Sequence, residues 1–307
     1  MIFLSACNGI NPGLNCNVGT EGISASFSRD TFRQTYDAGN TFPFIVDVTN
    51  KGAHESPVYV QISHNIDIIN ISPSVMIMDT PLSGKEHWNE CRGETRRIMF
   101  NLTPKPLLPA VQNFNTDISL NVCYENKVDF NTTICVHNNL GEINVLRDNC
   151  RYGDKSFGGG QGSPVSFIKA EAPIYLPDGT VRIRFYLRNF RNGNIVASMQ
   201  EGLEKACQQS SGDLSDFVKI EGYLDQYELR CNTLTSTAGP EGYVQLRADP
   251  QRVVRDNVET ILRDYYVECE ASDVDLTSPR EMSVNLRMEY YYRQLGVETR
   301  TINIRRV

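Results

Sequence analysis

The sequence predicts an all-β protein built as two tandem immunoglobulin-like β-sandwich domains, with one short helix in the second. Three observations support this prediction. Apolar and polar residues alternate in four segments, the same order of strands and turns recurs in both halves, and a glycine-rich segment separates the halves. Alternation with a period of two is typical of strands that bury one face, and a repeated strand plan of about 100 residues is typical of sandwich domains.

The first half opens and closes with an alternating strand. Apolar residues recur at every second position over 42–48, where the run ends at Asn50, and again over 118–124. A polar segment centred near Asp129 then separates the second strand from apolar residues within 134–136, which predicts a hairpin. Each of these strands presents one apolar face, as a sandwich core requires.

The second half repeats this plan. Apolar residues alternate over 181–187 and over 284–290, and the latter strand is followed by a predicted turn at 294–296 and a return strand at 302–304. The interval between the matched strands is longer here. Asp249-Pro250 accounts for part of the extra length, because an N-cap residue followed by proline predicts the start of a helix. Apolar residues at helical spacing follow it, at Val253, Val254, Val258, Ile261 and Leu262.

These features divide the chain into four parts. We predict an N-terminal segment and tether over 1–20, the first sandwich over 21–148, a glycine-rich linker over 149–164 and the second sandwich over 165–307. Glycine-rich segments are flexible, so we expect few contacts to cross between the two domains.

Charge and histidine pattern exclude several classes of function. The chain has 30 basic and 37 acidic residues and a net charge of −7, whereas a protein that binds a nucleic-acid backbone normally carries a basic excess. The four histidines are isolated, and neither a CxxC pair nor an HExxH motif is present, so we predict no metal site. No nucleophile motif accompanies a histidine base. We expect no cofactor, no nucleic-acid partner and no enzymatic activity.

Cysteines and glycosylation motifs indicate the compartment. The chain has nine cysteines, which either form disulfides in an oxidising environment or remain reduced, partly buried thiols in a cytosol. Three Asn-x-Ser/Thr motifs favour the first alternative, because such motifs accept glycans in secreted proteins; they begin at Asn70, Asn101 and Asn131. We therefore predict an extracellular glycoprotein.

Two disulfide pairs are predicted. Cys123 and Cys135 fall on the polar face of the predicted hairpin around Asp129, where a cross-strand bridge is geometrically reasonable; two unpaired, half-buried thiols are the alternative. Cys207 and Cys231 flank one segment of the second half and form the second predicted pair. The other four cysteines allow three connectivities, which the sequence leaves open: Cys16, Cys91, Cys150 and Cys269.

The first residues resemble a lipoprotein signal. Leu4-Ser5-Ala6-Cys7 fits the lipobox pattern, in which a lipidated cysteine becomes the mature N-terminus, and the uncharged stretch 8–20 fits a flexible tether. Removing Cys7 from the nine cysteines leaves eight, which can form four bridges. A lipid at Cys7 would attach the protein to a membrane surface. The alternative is that Cys7 pairs with Cys16 or with another chain.

One strand carries a basic stripe. Arg182, Arg184 and Arg188 lie on the polar face of 181–188, and Arg191 follows. Such a stripe could bind an anionic polysaccharide, lipid headgroups or nucleic acid. We favour the simpler interpretation, a solvated sheet face whose arginines are balanced by acids on neighbouring strands.

Several short motifs, taken in order along the chain, resemble a known group of proteins. The most specific are the pair Cys123-Tyr124 and Cys135-Val136 and the Gly-Gly-Gln-Gly-Ser-Pro segment over 159–164. Over almost its whole length the chain resembles uncharacterised secreted or lipid-anchored tandem β-sandwich proteins of small-genome, episymbiotic archaea. The resemblance implies the fold and the extracellular compartment, and it implies no activity.

These observations predict a cell-surface structural or adhesion protein, a component of an envelope or filament. It would act through protein–protein contacts or self-assembly of its sandwiches, since rigid sandwiches present edge strands and loops, and tandem copies add reach and multivalency. The alternative is a glycan- or solute-binding surface lipoprotein.

Overall fold

The computed structural model is an all-β fold, as the sequence predicts. In chain order its strands are β1 (Ile23–Phe27), β2 (Thr35–Asp37), β3 (Phe42–Asn50), β4 (Val58–His64), β5 (Ile69–Ser72), β6 (Val75–Ile77), β7 (Thr95–Pro104), β8 (Asn113–Val136), β9 (Lys155–Ser156), β10 (Val165–Ala170), β11 (Ile174–Tyr175), β12 (Val181–Asn189), β13 (Asn194–Val196), β14 (Phe217–Leu224), β15 (Tyr227–Glu228), β16 (Arg230–Asn232), β17 (Val244–Gln245), β18 (Arg247–Ala248), β19 (Gln251–Arg255), β20 (Val258–Ala271) and β21 (Arg280–Arg305).

The structure describes residues 16, 18–78, 80–87, 91–137, 150–158, 160–197, 202–208, 215–232, 242–249, 251–255, 258–276 and 279–306. Within these ranges there is one short α-helix, α1 (Leu203–Gln208), and one 3₁₀ turn at Lys85–His87. No helix in the described ranges has the length and apolar character needed to cross a membrane.

The strands form three sheets. The first outer sheet has the order β1-β3-β7-β5, and the second outer sheet has the order β16-β20-β12-β10-β9, with β11, β18 and β19 attached. The third sheet, which we call the shared sheet, has the order β15-β14-β21-β8-β4-β6, with β2, β13 and β17 attached. Among the described strands only β2 pairs in parallel, with the end of β21.

The two outer sheets follow the same plan. Strands β1, β3, β7 and β5 of the first correspond to β10, β12, β20 and β16 of the second, in both chain order and sheet order. The alternating strands predicted over 42–48 and 181–187 are confirmed as β3 and β12, each with every second residue buried. The finer assignment of these sheets to an immunoglobulin-like fold stays a prediction.

Equivalent asparagines end β3 and β12. The side-chain oxygen of Asn50 accepts a hydrogen bond from the N–H of Gly52, and that of Asn189 accepts one from the N–H of Arg191. Each side-chain amide also donates to the carbonyl four residues ahead. The internal repeat therefore extends to the turn chemistry that reverses the chain after each strand.

Two long strands run through both halves of the molecule. β8 and β21 pair antiparallel from Asn113, opposite Arg305, to Val136, opposite Arg280. With a rise of about 3.3 Å per residue, each of these strands is about 80 Å long. Both sandwiches therefore contain parts of β8 and β21.

The hairpins predicted near Asp129 and at 294–296 are wrong. Val128 and Phe130 are buried, so the apolar period continues through the polar segment and the strand does not turn. At 294–296 the register shifts and Gly296 adopts a φ of 61°, after which the strand continues. Such a bulge inserts extra residues without reversing the chain.

The long strands are exchanged between the sandwiches. The C-terminal part of β21 belongs to the first sandwich, where a Glu298 carboxylate oxygen accepts a hydrogen bond from the N–H of Phe27 at 2.8 Å. The C-terminal part of β8 belongs to the second sandwich, where Phe130 packs on Phe167 with ring centroids 4.8 Å apart. Each sandwich therefore takes one strand from the other half of the chain.

The predicted domain limits, 21–148 and 165–307, agree with the first outer sheet but not with the shared sheet, and the predicted linker 149–164 contains β9, an edge strand of the second outer sheet. The first outer sheet lies within 23–104, whereas strands of both halves build the shared sheet. The glycine-rich segment is packed against the first half. The N–H of Gly162 donates to the carbonyl of Gly19, and the following Ser163 is fully buried.

The helix predicted from Asp249-Pro250 is wrong. β19 and β20 form a hairpin there, with Arg255 opposite Val258. β-Branched residues favour strands over helices, and the segment is rich in them: Val253, Val254, Val258, Thr260 and Ile261.

The described residues contain four disulfides: Cys16–Cys91, Cys123–Cys207, Cys135–Cys150 and Cys231–Cys269. The predicted pairs Cys123–Cys135 and Cys207–Cys231 are wrong. The first fails because β8 runs on from Cys123 to Cys135 without folding back. The second fails because Cys231 on β16 lies directly opposite Cys269 on β20. Four disulfides indicate an oxidising, extracellular environment.

Candidate functional site

The sequence-predicted modification sites lie far apart. Cys7 lies outside the described residues, and Cys16, its alternative partner, is bonded to Cys91 instead. The three asparagines of the glycosylation motifs lie on strands: Asn70 is exposed on β5, Asn101 is half-buried on β7 and Asn131 is exposed on β8.

The basic stripe of β12 is neutralised by acids on β20. Three arginine–carboxylate pairs lie directly opposite each other with N···O distances of 2.5 to 2.6 Å: Arg182–Glu270, Arg184–Glu268 and Arg188–Asp264. The hydrogen bond to the Glu268 carboxylate raises the pKa of the Arg184 guanidinium. The interpretation of the stripe as a balanced sheet face is confirmed.

Two tyrosines lie in the middle of these pairs. The rings of Tyr186 and Tyr266 have centroids 6.1 Å apart, and the Arg184 guanidinium lies 4.9 Å from the centroid of Tyr266. Burial and a hydrogen bond to the Glu171 carboxylate raise the pKa of Tyr186. We call the two tyrosines and the three ion pairs around them the Arg–Tyr face. In this face the ion pairs and the contacts between guanidinium groups and tyrosine rings fix the positions of the arginines and tyrosines.

The second half of β8 forms an open edge of the shared sheet. The side of β8 that faces away from β21 pairs with β4 as far as Tyr124. From residue 125 onward, no described strand pairs with that side of β8, while the opposite side stays paired with β21. At Glu125 the outward backbone groups are bound by Pro57 and Ser56. Because backbone groups alternate in direction along a strand, those of every second residue point the same way. These residues are Lys127, Asp129, Asn131 and Thr133, which we call the β8 edge.

A contact at the far end of the edge supports this direction. The Lys155 ammonium donates a hydrogen bond to the backbone carbonyl of Thr133 at 2.8 Å, so that carbonyl points away from β21. Ser283 of β21 lies opposite Thr133. The backbone N–H and C=O of Ser283 bond to Asp225, so they point away from β8. Among the described residues, the outward backbone groups of Lys127, Asp129 and Asn131 and the N–H of Thr133 are therefore free for pairing, whereas the Thr133 carbonyl is bound by Lys155.

Three cavities lie along the β8 edge. One of about 430 Å³, at the end near Lys127, is lined by His54 and Glu86. One of about 520 Å³ lies at the other end, beside Thr133 and Tyr152. A third, of about 410 Å³, lies on the outer face of the shared sheet between β8 and β14. The edge is thus bordered by open space at both ends and on its outer face.

The charged side chains of the edge are paired within the molecule. The Asp129 carboxylate lies 2.9 Å from the Arg287 guanidinium and raises its pKa. His54 lies 2.9 Å from Glu86 and 3.7 Å from Asp129, while Lys127 lies 3.5 and 3.6 Å from two glutamates. Charges of both signs on an edge discourage unspecific sheet pairing. In the described ranges, no group of three or more His, Cys, Asp or Glu residues could hold a metal ion.

Sequence reasoning missed this edge, because the polar residues around Asp129 were interpreted as a turn. The signal that could have revealed the edge is the burial period. Val128 and Phe130 continue the apolar positions of 118–124, and the intervening polar residues share one face.

Comparisons with known proteins identify no family. No protein-family model matches the chain, and no curated protein matches it. Among solved structures, the recombinant discoidin II of Dictyostelium discoideum aligns at 6% sequence identity over 84% of this chain and 80% of that chain, with a TM-score of 0.13. A score of this size carries no argument. The fold and the disulfides by themselves define an extracellular all-β protein.

Proposed function

We propose that this protein is a structural or adhesion protein of a cell surface, a component of an envelope or filament, which acts through protein–protein contacts. The observation that carries the proposal is the open β8 edge. Such an edge offers backbone hydrogen bonds to an added strand, and side chains on its faces provide specificity. The proposal includes no catalytic activity and no cofactor.

The continuity of the shared sheet supports a structural role. β8 and β21 continue from one sandwich into the other, and the Cys123–Cys207 disulfide joins the two halves of the chain. A continuous sheet has no hinge between its ends, so the two sandwiches hold a fixed spacing. A partner bound at one end is thereby held at a fixed distance from a partner or membrane at the other.

A lipid anchor and glycans form part of the proposal. Eight of the nine cysteines bond to one another, which leaves Cys7 as the odd one and supports its lipidation. Glycans at Asn70 and Asn101 would lie on strands of the first outer sheet, whereas the motif at Asn131 lies on the β8 edge, where a glycan and a bound partner strand would exclude each other. Mass spectrometry of the mature N-terminal peptide tests the anchor. Cys7→Ser should release the protein in soluble form, and an unmodified Cys7 would contradict the anchor.

Labelling of intact cells tests the proposed location and role. A reagent that cannot cross membranes should modify exposed lysines of the native protein in intact cells, and the labelled protein should co-sediment with the envelope. Intact-mass analysis without reductant should show the disulfides. A reduced protein that becomes labelled only after lysis would refute the proposed function.

The Arg–Tyr face favours a second candidate, a glycan- or solute-binding surface protein. Two tyrosine rings lie side by side among hydrogen-bonding carboxylates and guanidinium groups, and aromatic surfaces with a few polar groups are common in ligand sites. A glycan array with the wild-type chain and Tyr266→Ala tests this candidate. Tyr223→Ala is the matched control, because Tyr223 is exposed on the shared sheet. Binding lost only in Tyr266→Ala would favour this candidate.

A further inference from the structure

We propose that two copies of this chain form a dimer by antiparallel pairing of their β8 edges, with the two-fold axis at Phe130. The inference rests on the proposed function and names its partner, a second copy of the same chain. The β8 edge presents the N–H and C=O groups of four residues within one uninterrupted strand. Antiparallel pairing of two such edges forms about six backbone hydrogen bonds, because Lys155 already binds the Thr133 carbonyl of each copy, and it joins the two shared sheets into one.

The charges of the edge favour this register. With the axis at Phe130, Asp129 of each copy lies opposite Asn131 of the other, and Lys127 lies opposite Thr133. No pair of like charges is formed, and every edge residue has a partner. With the axis at Asp129, the two Asp129 carboxylates would face each other, and like charges directly opposite are destabilising.

A register with the two-fold axis at Val128 would form fewer backbone hydrogen bonds, because Glu125 is already bound within its own chain. With the axis at Val128, Asn131 would lie opposite Glu125. The backbone groups of Glu125 are already bound by Pro57 and Ser56. That register would keep about four backbone hydrogen bonds against about six, so the register centred on Phe130 is preferred.

The walls at the two ends of the edge are complementary in charge. Glu55 and Glu86 are exposed in the cavity wall at one end, whereas Arg151 and Lys155 are exposed at the other together with a single acid, Glu281, that no described ion pair neutralises. Asp154 at the basic end is already bound to a lysine of β10 at 2.7 Å. Antiparallel pairing brings the acidic wall of each copy next to the basic wall of the other, twice per dimer. Complementary potentials of this kind fix the register of an interface.

Substitutions at Asn131 test this register. Asn131→Asp places a carboxylate opposite Asp129 of the second copy at two symmetric positions, so the dissociation constant of the dimer should rise about 2- to 30-fold. Asn131→Lys places an ammonium there and should lower it by a similar factor. Asn131→Ala is the matched control, because it removes the side chain and keeps the backbone groups.

Sedimentation equilibrium of the full chain, made in a host that adds no glycans, measures these constants, and thermal melting verifies that each variant is folded. A monomer at every concentration, or equal constants for Asn131→Asp and Asn131→Lys, overturns the proposed dimer. Asn131→Pro removes one outward N–H from the edge and should abolish the dimer. A dimer that survives this change uses another surface.

The glycosylation motif at Asn131 provides a second test, because a glycan there would project beside the strand of the second copy. Full occupancy of Asn131 in protein from its native source overturns the dimer. Failure of the dimer leaves the proposed function standing when cell labelling finds the protein at the surface, since the edge can then bind a different protein. Absence from the surface refutes the function itself.

Discussion

Removal of the Cys123–Cys207 disulfide tests how strongly the two halves of the chain depend on each other. The bridge joins β8 to α1, and both cysteines are buried. It closes a loop of 84 residues, and the Cys135–Cys150 bridge within that loop shortens the free length to about 70 residues. The entropy of closing a loop of that length corresponds to about 4 kcal/mol.

The variant Cys123→Ala/Cys207→Ala should therefore lose about 4 kcal/mol of unfolding free energy, measured by urea titration. For a chain of this size the melting temperature should fall by about 6 °C. Cys135→Ala/Cys150→Ala is the control, because it removes a bridge that closes only 15 residues and should cost about 3 kcal/mol. A smaller loss in the first variant than in the control would refute this reasoning.

Two further substitutions probe the interior and the acid stability. The Tyr290 hydroxyl is buried, accepts a hydrogen bond from the N–H of Val165 at 3.1 Å and bonds to Ser163 at 2.5 Å. Tyr290→Phe should therefore cost about 1–3 kcal/mol in urea unfolding, and a neutral result would contradict this role. A hydrogen bond from the Ser83 N–H lowers the pKa of Glu94 below 4.5. Its carboxylate therefore stabilises the fold above that pH, and this contribution is lost as the pH falls through the lowered pKa. Glu94→Gln should flatten the acid side of the stability profile, and an unchanged acid side would contradict the assignment.

Local patterns predict the strands in which the alternation of apolar and polar residues is uninterrupted. β3 and β12 were predicted correctly, because each has one buried face over its whole length and ends in an asparagine turn. The sequence prediction ends this strand near Asp129, because the polar residues there indicate a turn. The alternation of buried and exposed residues continues through them. The Asp249-Pro250 helix was predicted from the spacing of apolar residues, although β-branched residues dominate that segment.

No local sequence pattern predicts the exchange of strands between the sandwiches. The pairing of Asn113 with Arg305 joins residues that are 192 positions apart in the sequence. The disulfide partners follow from that pairing: Cys123 meets Cys207 only because β8 continues into the second sandwich. The β8 edge was missed for the same reason, since it exists only when the long strand is not interrupted by a turn.

The strand exchange is tested most directly by hydrogen exchange in a chain truncated after Gln294. The truncation removes only residues of the second half. Among the described strands, residues 113–117 pair only with 301–305, whereas 118–124 also pair with β4. We predict that the amides of 113–117 lose protection while those of β12 in the second outer sheet keep it. Unchanged protection at 113–117 would show that the first sandwich is completed within its own half, which would contradict the exchange.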